Sequence, residues 1–361
     1  MTAPAAGSDT ALLARYGNAL TGLAAGDAWG YQVEFTSYTR MPAYPVAPPA
    51  GHWVISDDTQ MTLAVHHALA DVTDFDDIEA VTDAITRQFF LWQVDPDNTR
   101  APGRTCMKSL RNLRAGARWY DRDGAVESAG CGAVMRLVPT AFAPQQYWLG
   151  LTALQAVITH KHPRAVVPAL LLADATRHAP EYRGRFLERA LTVAAQIYNG
   201  TSGWTEDPYL REVLAPITGD VSSYLVEGLN DGTADILTAA AGRLEQLRPL
   251  PPAEFGDPCA GIGEGWESAS AVALALLVAD LATTSDNDAA AALTGPEALA
   301  WASTSNGDSD SIACIAGGLI GSAHPEKDYW AAAGLTPTFE PRYAEEIMAA
   351  ASQLPAGAPA D

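Results

Sequence analysis

NGDSDSIACIAGGLIGSAHP, residues 306–325, sets the architecture this chain adopts. Its first part alternates acidic and hydroxyl residues, Asp308, Ser309, Asp310 and Ser311. That composition is favoured just before a helix, where side-chain oxygens accept hydrogen bonds from unpaired N–H groups. The part that follows, IACIAGGLIGSA, reads as a helix of small residues, so neighbouring helices can come close to its backbone.

The same reading extends over the rest of the chain. Residues 11–29, 61–70, 78–93, 105–117, 149–159, 164–178, 184–199, 233–247, 266–283, 287–302, 311–322 and 342–353 are Ala- and Leu-rich, with apolar positions at three- and four-residue steps. No alternating run of β-branched and aromatic residues persists beyond a few positions, and no fixed-period repeat is visible. The Pro/Gly-rich stretches 40–51 and 248–265 read as loops. The expectation is an all-α, compact, single domain over residues 10–353, with disordered tails at 1–9 and 354–361.

Composition narrows the class. The chain has 361 residues, 48% of them hydrophobic and 18% charged, with a net charge of −21, which argues against binding nucleic acid phosphates. Its four cysteines, Cys106, Cys131, Cys259 and Cys314, are far apart and form no C-x-x-C pair, so reduced thiols fit better than a disulfide framework or a zinc site. MTAPAAGSDT lacks the basic and apolar parts of a signal peptide. The most apolar helix, residues 269–282, is too short for a bilayer and is interrupted by Asp280. A cytoplasmic protein acting as a monomer, without a membrane partner, is expected.

ISDDTQM, residues 55–61, mirrors the first stretch. Each cluster alone reads as a capped helix, yet adjacent Asp57 and Asp58 repel, and a cation would remove that repulsion. Together Asp57, Asp58, Asp308 and Asp310 supply four carboxylates, and Ser56 and Ser311 supply hydroxyls in mirrored positions. That set suits hard divalent cations and can neutralise two of them.

These two stretches, about 250 residues apart, resemble the (S/T)-D-D-T and G-D-(T/S)-D-(T/S) motifs of the ADP-ribosylglycohydrolases. The resemblance extends to GLAAGDAWGYQVEF (22–35), AGCGAVMRLVPTA (129–141), ITHKHP (158–163) and GEGWESASAVALALL (263–277), in family order over roughly residues 15–325. It implies a compact orthogonal all-α fold with two Mg²⁺ or Mn²⁺ ions at the floor of a cleft. The implied activity is hydrolysis of the C1″ glycosidic bond of ADP-ribose joined to a protein side chain or a small-molecule acceptor. The ligand pattern falls on Ser56, Asp57, Asp58, Asp308, Asp310 and Ser311, and the flexible acidic-loop glutamate on Glu34. The substrate loop falls on Gly130, Cys131 and Gly132, and the motif histidine on His160. Ser56 replaces the commoner Thr and keeps the hydroxyl, whereas Cys131 stands where Asn is common and removes a hydrogen-bonding group.

The chemistry of the residues themselves agrees. Two divalent cations can hold the vicinal hydroxyls of the distal ribose, and a carboxylate not fully engaged as a ligand can carry a proton. Asp308 and Glu34 lead as candidates, with Asp58 beside them. Trp266 suits stacking on adenine, or else walls the cleft. His66 and His67 read as structural, Cys106 as an inert thiol, and Asp76 or Asp77 as a cap for the next helix. Two other readings stay open: an ADP-ribose-binding relative without activity, and a metal-dependent phosphohydrolase acting on a nucleotide.

Overall fold

The first helix, Ala6–Tyr31, and the helix Ser309–Ser322 cross with their backbones almost in contact. Gly22, Gly26 and Gly30 of the first helix, spaced by four, face Gly317, Ala313 and Ser309 of the second. A Cβ built on Gly26 would stand 2.0 Å from the Ala313 carbonyl oxygen, and one on Gly317 2.0 Å from that of Gly22. Any side chain there forces the helices apart, so the small-residue stripe is a geometric requirement. The crossing brings the end of the first helix against the start of the other, where the sequence clusters its acids.

The structure is a computed structural model that describes residues 6–41, 44–284 and 291–355. Among the described residues the secondary structure is helical, with isolated bridges (Trp53 to Phe339, Val126 to His160, Gly130 to Glu267) in place of any sheet. Helix Ser268–Ala282 is buried along its whole length, which explains its unbroken apolar sequence. One connected apolar core runs from Tyr16 to Ala350. No helix among the described residues is long and apolar enough to cross a membrane.

Two acids are buried in this core for purely architectural reasons. Asp280, 4% exposed, accepts hydrogen bonds from the backbone N–H groups of Phe186 (2.6 Å) and Leu187 (3.0 Å). It thereby caps helix Phe186–Tyr198, whose own preceding residue, Arg185, makes no side-chain cap. Asp174 accepts from Arg189 Nε and Nη2 at 2.7 and 2.9 Å.

Several boundaries differ from expectation. The helix expected at 61–70 is Asp57–Asp71, because Ser56 caps it four residues earlier. The helix expected at 311–322 begins at Ser309. The one expected at 287–302 is Gly295–Ser303: Thr294 and Glu297 form a capping box with Pro296 in the first turn, while 285–290 lie outside the described residues. Helices Val138–Ala141, Pro208–Leu214, Val221–Asn230 and Tyr329–Ala332 were not anticipated, being short or lacking a long apolar stripe. Residues 6–9 of the expected N-terminal tail are helical, and the remaining tail residues 1–5 and 356–361 lie outside the described residues.

Candidate functional site

The two helix starts singled out in the sequence meet. Ser56 caps its helix, its side chain accepting from Asp58 N–H at 3.3 Å. Asp308 occupies the equivalent position before Ser309, yet its side chain makes no cap. It points instead across the gap, where the Cys131 thiol donates to its Oδ2 at 2.9 Å. Ser311 Oγ donates to Asp58 Oδ1 at 2.8 Å, tying the two starts together across 253 positions of sequence. Ser309 Oγ donates to the Gly30 carbonyl at 2.9 Å and fixes the same corner to the first helix.

Asp27, which the sequence reading passed over, anchors this geometry. Fully buried on the first helix, it accepts from Ser56 N–H (2.9 Å), from Thr59 N–H (3.1 Å) and from the Thr59 hydroxyl. It therefore acts as a second cap, delivered by another helix, that sets the direction in which Asp57 and Asp58 leave theirs. Asp57 Oδ2 accepts from Gly103 N–H at 3.0 Å. The turn that presents Gly103 contains Ala101 at φ 53°, a left-handed conformation that costs an alanine about 1 kcal/mol.

Six carboxylates, those of Asp27, Glu34, Asp57, Asp58, Asp308 and Asp310, are buried around this junction. The hydrogen bonds reaching them come from backbone N–H, hydroxyl and thiol groups rather than from lysine or arginine. Burial, reinforced by the neighbouring Asp310, pushes Asp27 up to about 7 and Glu34 up to about 10. Burial also raises Asp57, Asp58, Asp308 and Asp310. Glu34, Asp308 and Asp310 each place an oxygen within 4.8 Å of the others, and Glu34 Oε2 is buried with no hydrogen-bond partner. An orphaned oxygen amid converging carboxylates is the donor set of a divalent cation, and the residues present fit one.

Above the acids opens a cleft of about 470 Å³, lined by all of them except Asp27, by the Gly130–Gly132 loop, His160 and the 101–106 loop. Gly132 leaves no room for a side chain: an added Cβ would stand 2.8 Å from His160 Cε1. His160 is 2% exposed, and its Nδ1 lies 2.8 Å from Thr159 Oγ1. That hydroxyl also accepts from Arg136 Nη2 at 2.7 Å, which ties the imidazole to the buried arginine and leaves Nε2 turned toward Gly130. Burial, then the charge of Arg136, holds His160 well below its usual range, hence neutral. Arg136, also missed in the sequence, is fully buried over the Phe89 ring and bonds Gln155 through Nε and Nη2. An arginine amid AVMRLVP, unable to reach water, is the signal that announces such a post.

The remaining expectations divide. Of the loop 95–106 only residues 101–106 wall the cleft, and Cys106 is buried at the entry of helix Arg104–Arg114. Trp266 lies just before its helix, 41% exposed at the rim, stacked against Phe35 with ring centres 6.2 Å apart. His162 accepts from Arg164 N–H and caps helix Pro163–Arg177. His66 is a structural residue, its Nδ1 2.7 Å from the Tyr16 hydroxyl. Asp77 caps Ile78–Gln93. A Gly-flanked turn before a helix can offer free backbone N–H groups to a phosphate. The loop Gly130–Gly132 does form a turn, the short 3₁₀ element Cys131–Ala133, but Cys131 N–H is taken by the Trp266 carbonyl and Gly130 N–H by Ser128 Oγ.

Comparison with known proteins agrees with this architecture. The family model described as ADP-ribosylglycohydrolase matches residues 8–353. An uncharacterized protein of Archaeoglobus fulgidus is 29% identical over 176 residues, covering 45% of this chain and 54% of that protein. The match thus spans about half the length of that relative. A solved structure described as an ADP-ribosylglycohydrolase-related protein complex superposes with a TM-score of 0.58 at 21% identity, over 94% of this chain and 97% of that one. That likeness speaks for the all-α fold.

Proposed function

The chain belongs to the ADP-ribosylglycohydrolase family, and from that premise we propose that it hydrolyses the C1″ glycosidic bond of ADP-ribose conjugates in the acidic cleft. The observation that carries this reading is the set of six buried carboxylates without a lysine or arginine partner, one of them with an orphaned oxygen. Asp57, Asp58, Asp308 and Asp310, with the hydroxyls of Ser56 and Ser311, would hold two divalent cations, Mg²⁺ or Mn²⁺. Such ions supply charge neutralisation and Lewis-acid polarisation of oxygen at the reacting centre.

The side chains around them have separable tasks. Asp58 is engaged by Ser311 and Asp308 by Cys131, whereas Glu34 Oε2 has no partner. Glu34, at the edge of the cation site and with one oxygen facing it, is therefore the carboxyl best placed to pass a proton between the proposed metals and the substrate, ahead of Asp308 and Asp58. His160, neutral and with Nε2 turned toward Gly130, offers a hydrogen-bonding ring nitrogen to the substrate beside the Gly130–Gly132 loop. Gly132 leaves the space that this approach needs. Trp266 and Phe35 at the mouth offer stacking faces for the adenine. The substrate is an ADP-ribosylated protein or small-molecule conjugate, handled by a cytoplasmic monomer.

The test is incubation with Mg²⁺ or Mn²⁺ and arginine-, serine- and guanine-linked ADP-ribose conjugates. Free ADP-ribose released from one linkage is the expected result. AMP as product, or full turnover after EDTA treatment, would overturn the reading.

A further inference from the structure

We propose that Cys131 is a metal ligand, which turns one wall of the acidic cleft into a mixed sulfur–oxygen centre favouring Co²⁺, Zn²⁺ and Cd²⁺ over Mg²⁺. This rests on the reading that the cleft binds divalent cations, and concerns which donor atoms reach them. Cys131 Sγ lies 2.9 Å from Asp308 Oδ2 and 3.8 Å from Ser311 Oγ, the hydroxyl that in turn bonds Asp58. The sulfur thus touches two groups of the proposed ligand set, from a loop 177 positions away from Asp308.

An independent observation points to a cation at the same place. Glu34 is 7% exposed, its Oε2 has no partner, and its carboxylate converges on Asp308 and Asp310 within 4.8 Å. An ion about 2.1 Å from an oxygen and about 2.3 Å from a sulfur would hold them about 3.1 Å apart at right angles and about 3.6 Å apart at the tetrahedral angle. The observed 2.9 Å needs an outward adjustment of about 0.2 to 0.7 Å. When the metal–sulfur bond forms, the thiol proton leaves through the cleft to solvent and no electron changes hands.

The other thiols are unsuited. Cys106 has the Arg136 guanidinium 3.4 Å away, which repels a cation, and Cys314 faces the Met135 carbonyl inside the core. Cys259 is buried and forms no part of the cleft lining. Thiolate prefers softer cations than carboxylate does, so the position occupied by Cys131 sets metal preference. An asparagine there would offer a hard amide oxygen instead.

The test uses the full chain stripped of metal and titrated with Co²⁺, read by absorbance, with Cys131→Ser and Cys131→Asn alongside. The wild type is expected to show a near-ultraviolet thiolate-to-cobalt charge-transfer band, absent from both variants, which keep the visible ligand-field bands. Competition between Cd²⁺ and Mn²⁺ supplies a second reading. The preference for Cd²⁺ should fall in the variants by no less than the roughly 10- to 100-fold seen when an outer-sphere partner of a metal site is lost. Ligand-field bands without the charge-transfer band in the wild type would overturn the role of Cys131 while leaving the cation site standing. No cobalt binding at all would overturn both. Should the variants fail to fold, maleimide labelling of the wild type decides: Cd²⁺ should protect Cys131 and Mg²⁺ should not, and equal labelling rates would overturn the proposal.

Discussion

Two kinds of buried carboxylate sit in this molecule, and only one is at peace with its surroundings. Asp280 and Asp174 lie deep between helices and are answered locally, by two backbone N–H groups and by an arginine fork. The six acids at the junction of the Asp57 and Ser309 helices are as deeply buried, yet they face one another. Burial costs a carboxylate several kcal/mol unless charge or hydrogen bonds compensate. In the first region the fold supplies partners: against burial, those that include the arginine hold Asp174 below its usual range, while burial still lifts Asp280 to about 7 despite its two N–H donors. In the second it supplies rigidity, and protonation or the proposed cations would complete the charge balance. Buried acids announce function where their partners are missing, and depth alone says little.

The contrast can be broken by experiment, the largest effect first. Asp310→Asn or Asp57→Asn should lower the release of ADP-ribose more than about 100-fold, since each removes a charged ligand. Turnover within tenfold of the wild type would remove the distinction between the two regions. Next, Mn²⁺ at a hundred times its dissociation constant should raise unfolding stability by about 2.7 kcal/mol. Denaturant titration should show that gain intact in Asp280→Asn and abolished in Asp310→Asn.

Asp280→Ala should destabilise the protein by about 2 kcal/mol, because two N–H groups at a helix start lose their acceptor. Asp308→Asn should leave the metal-free protein as stable as the wild type or more so, since it removes one member of a repelling set. If both variants melt lower by the same amount, the junction acids are architectural after all. The smallest effect is expected at Ala101→Gly, which relieves the left-handed alanine before Gly103 and should stabilise by about 0.5–1 kcal/mol. A loss of stability there would mean that the turn is held by something other than the backbone conformation of Ala101.

Much of this was legible in the chain. Apolar spacing at three and four residues, and Asp, Ser or Thr before helices, are interactions within one turn, so the helices and both acidic helix starts could be read directly. The small residues of IACIAGGLIG foretold close helix approach, though not that the glycines of GLAAGDAWG would be what it meets. Helix ends were misplaced where the cap lay outside the periodic stretch, as at Ser56 and Thr294.

What only the tertiary structure decided is who faces whom. That Asp27 caps a helix 29 positions onward, that Arg136 fixes the His160 ring through Thr159, and that Cys131 touches Asp308 depend on contacts between distant segments. No local energy term encodes those pairings. They follow from two glycine stripes that let helices cross at backbone contact, and a few ångströms more between them would disperse the six carboxylates. The sequence by itself determined the helices and the chemistry they carry, because propensity, periodicity and capping act over one or two turns. The fold decided that this chemistry meets in one place, because proximity is set by packing.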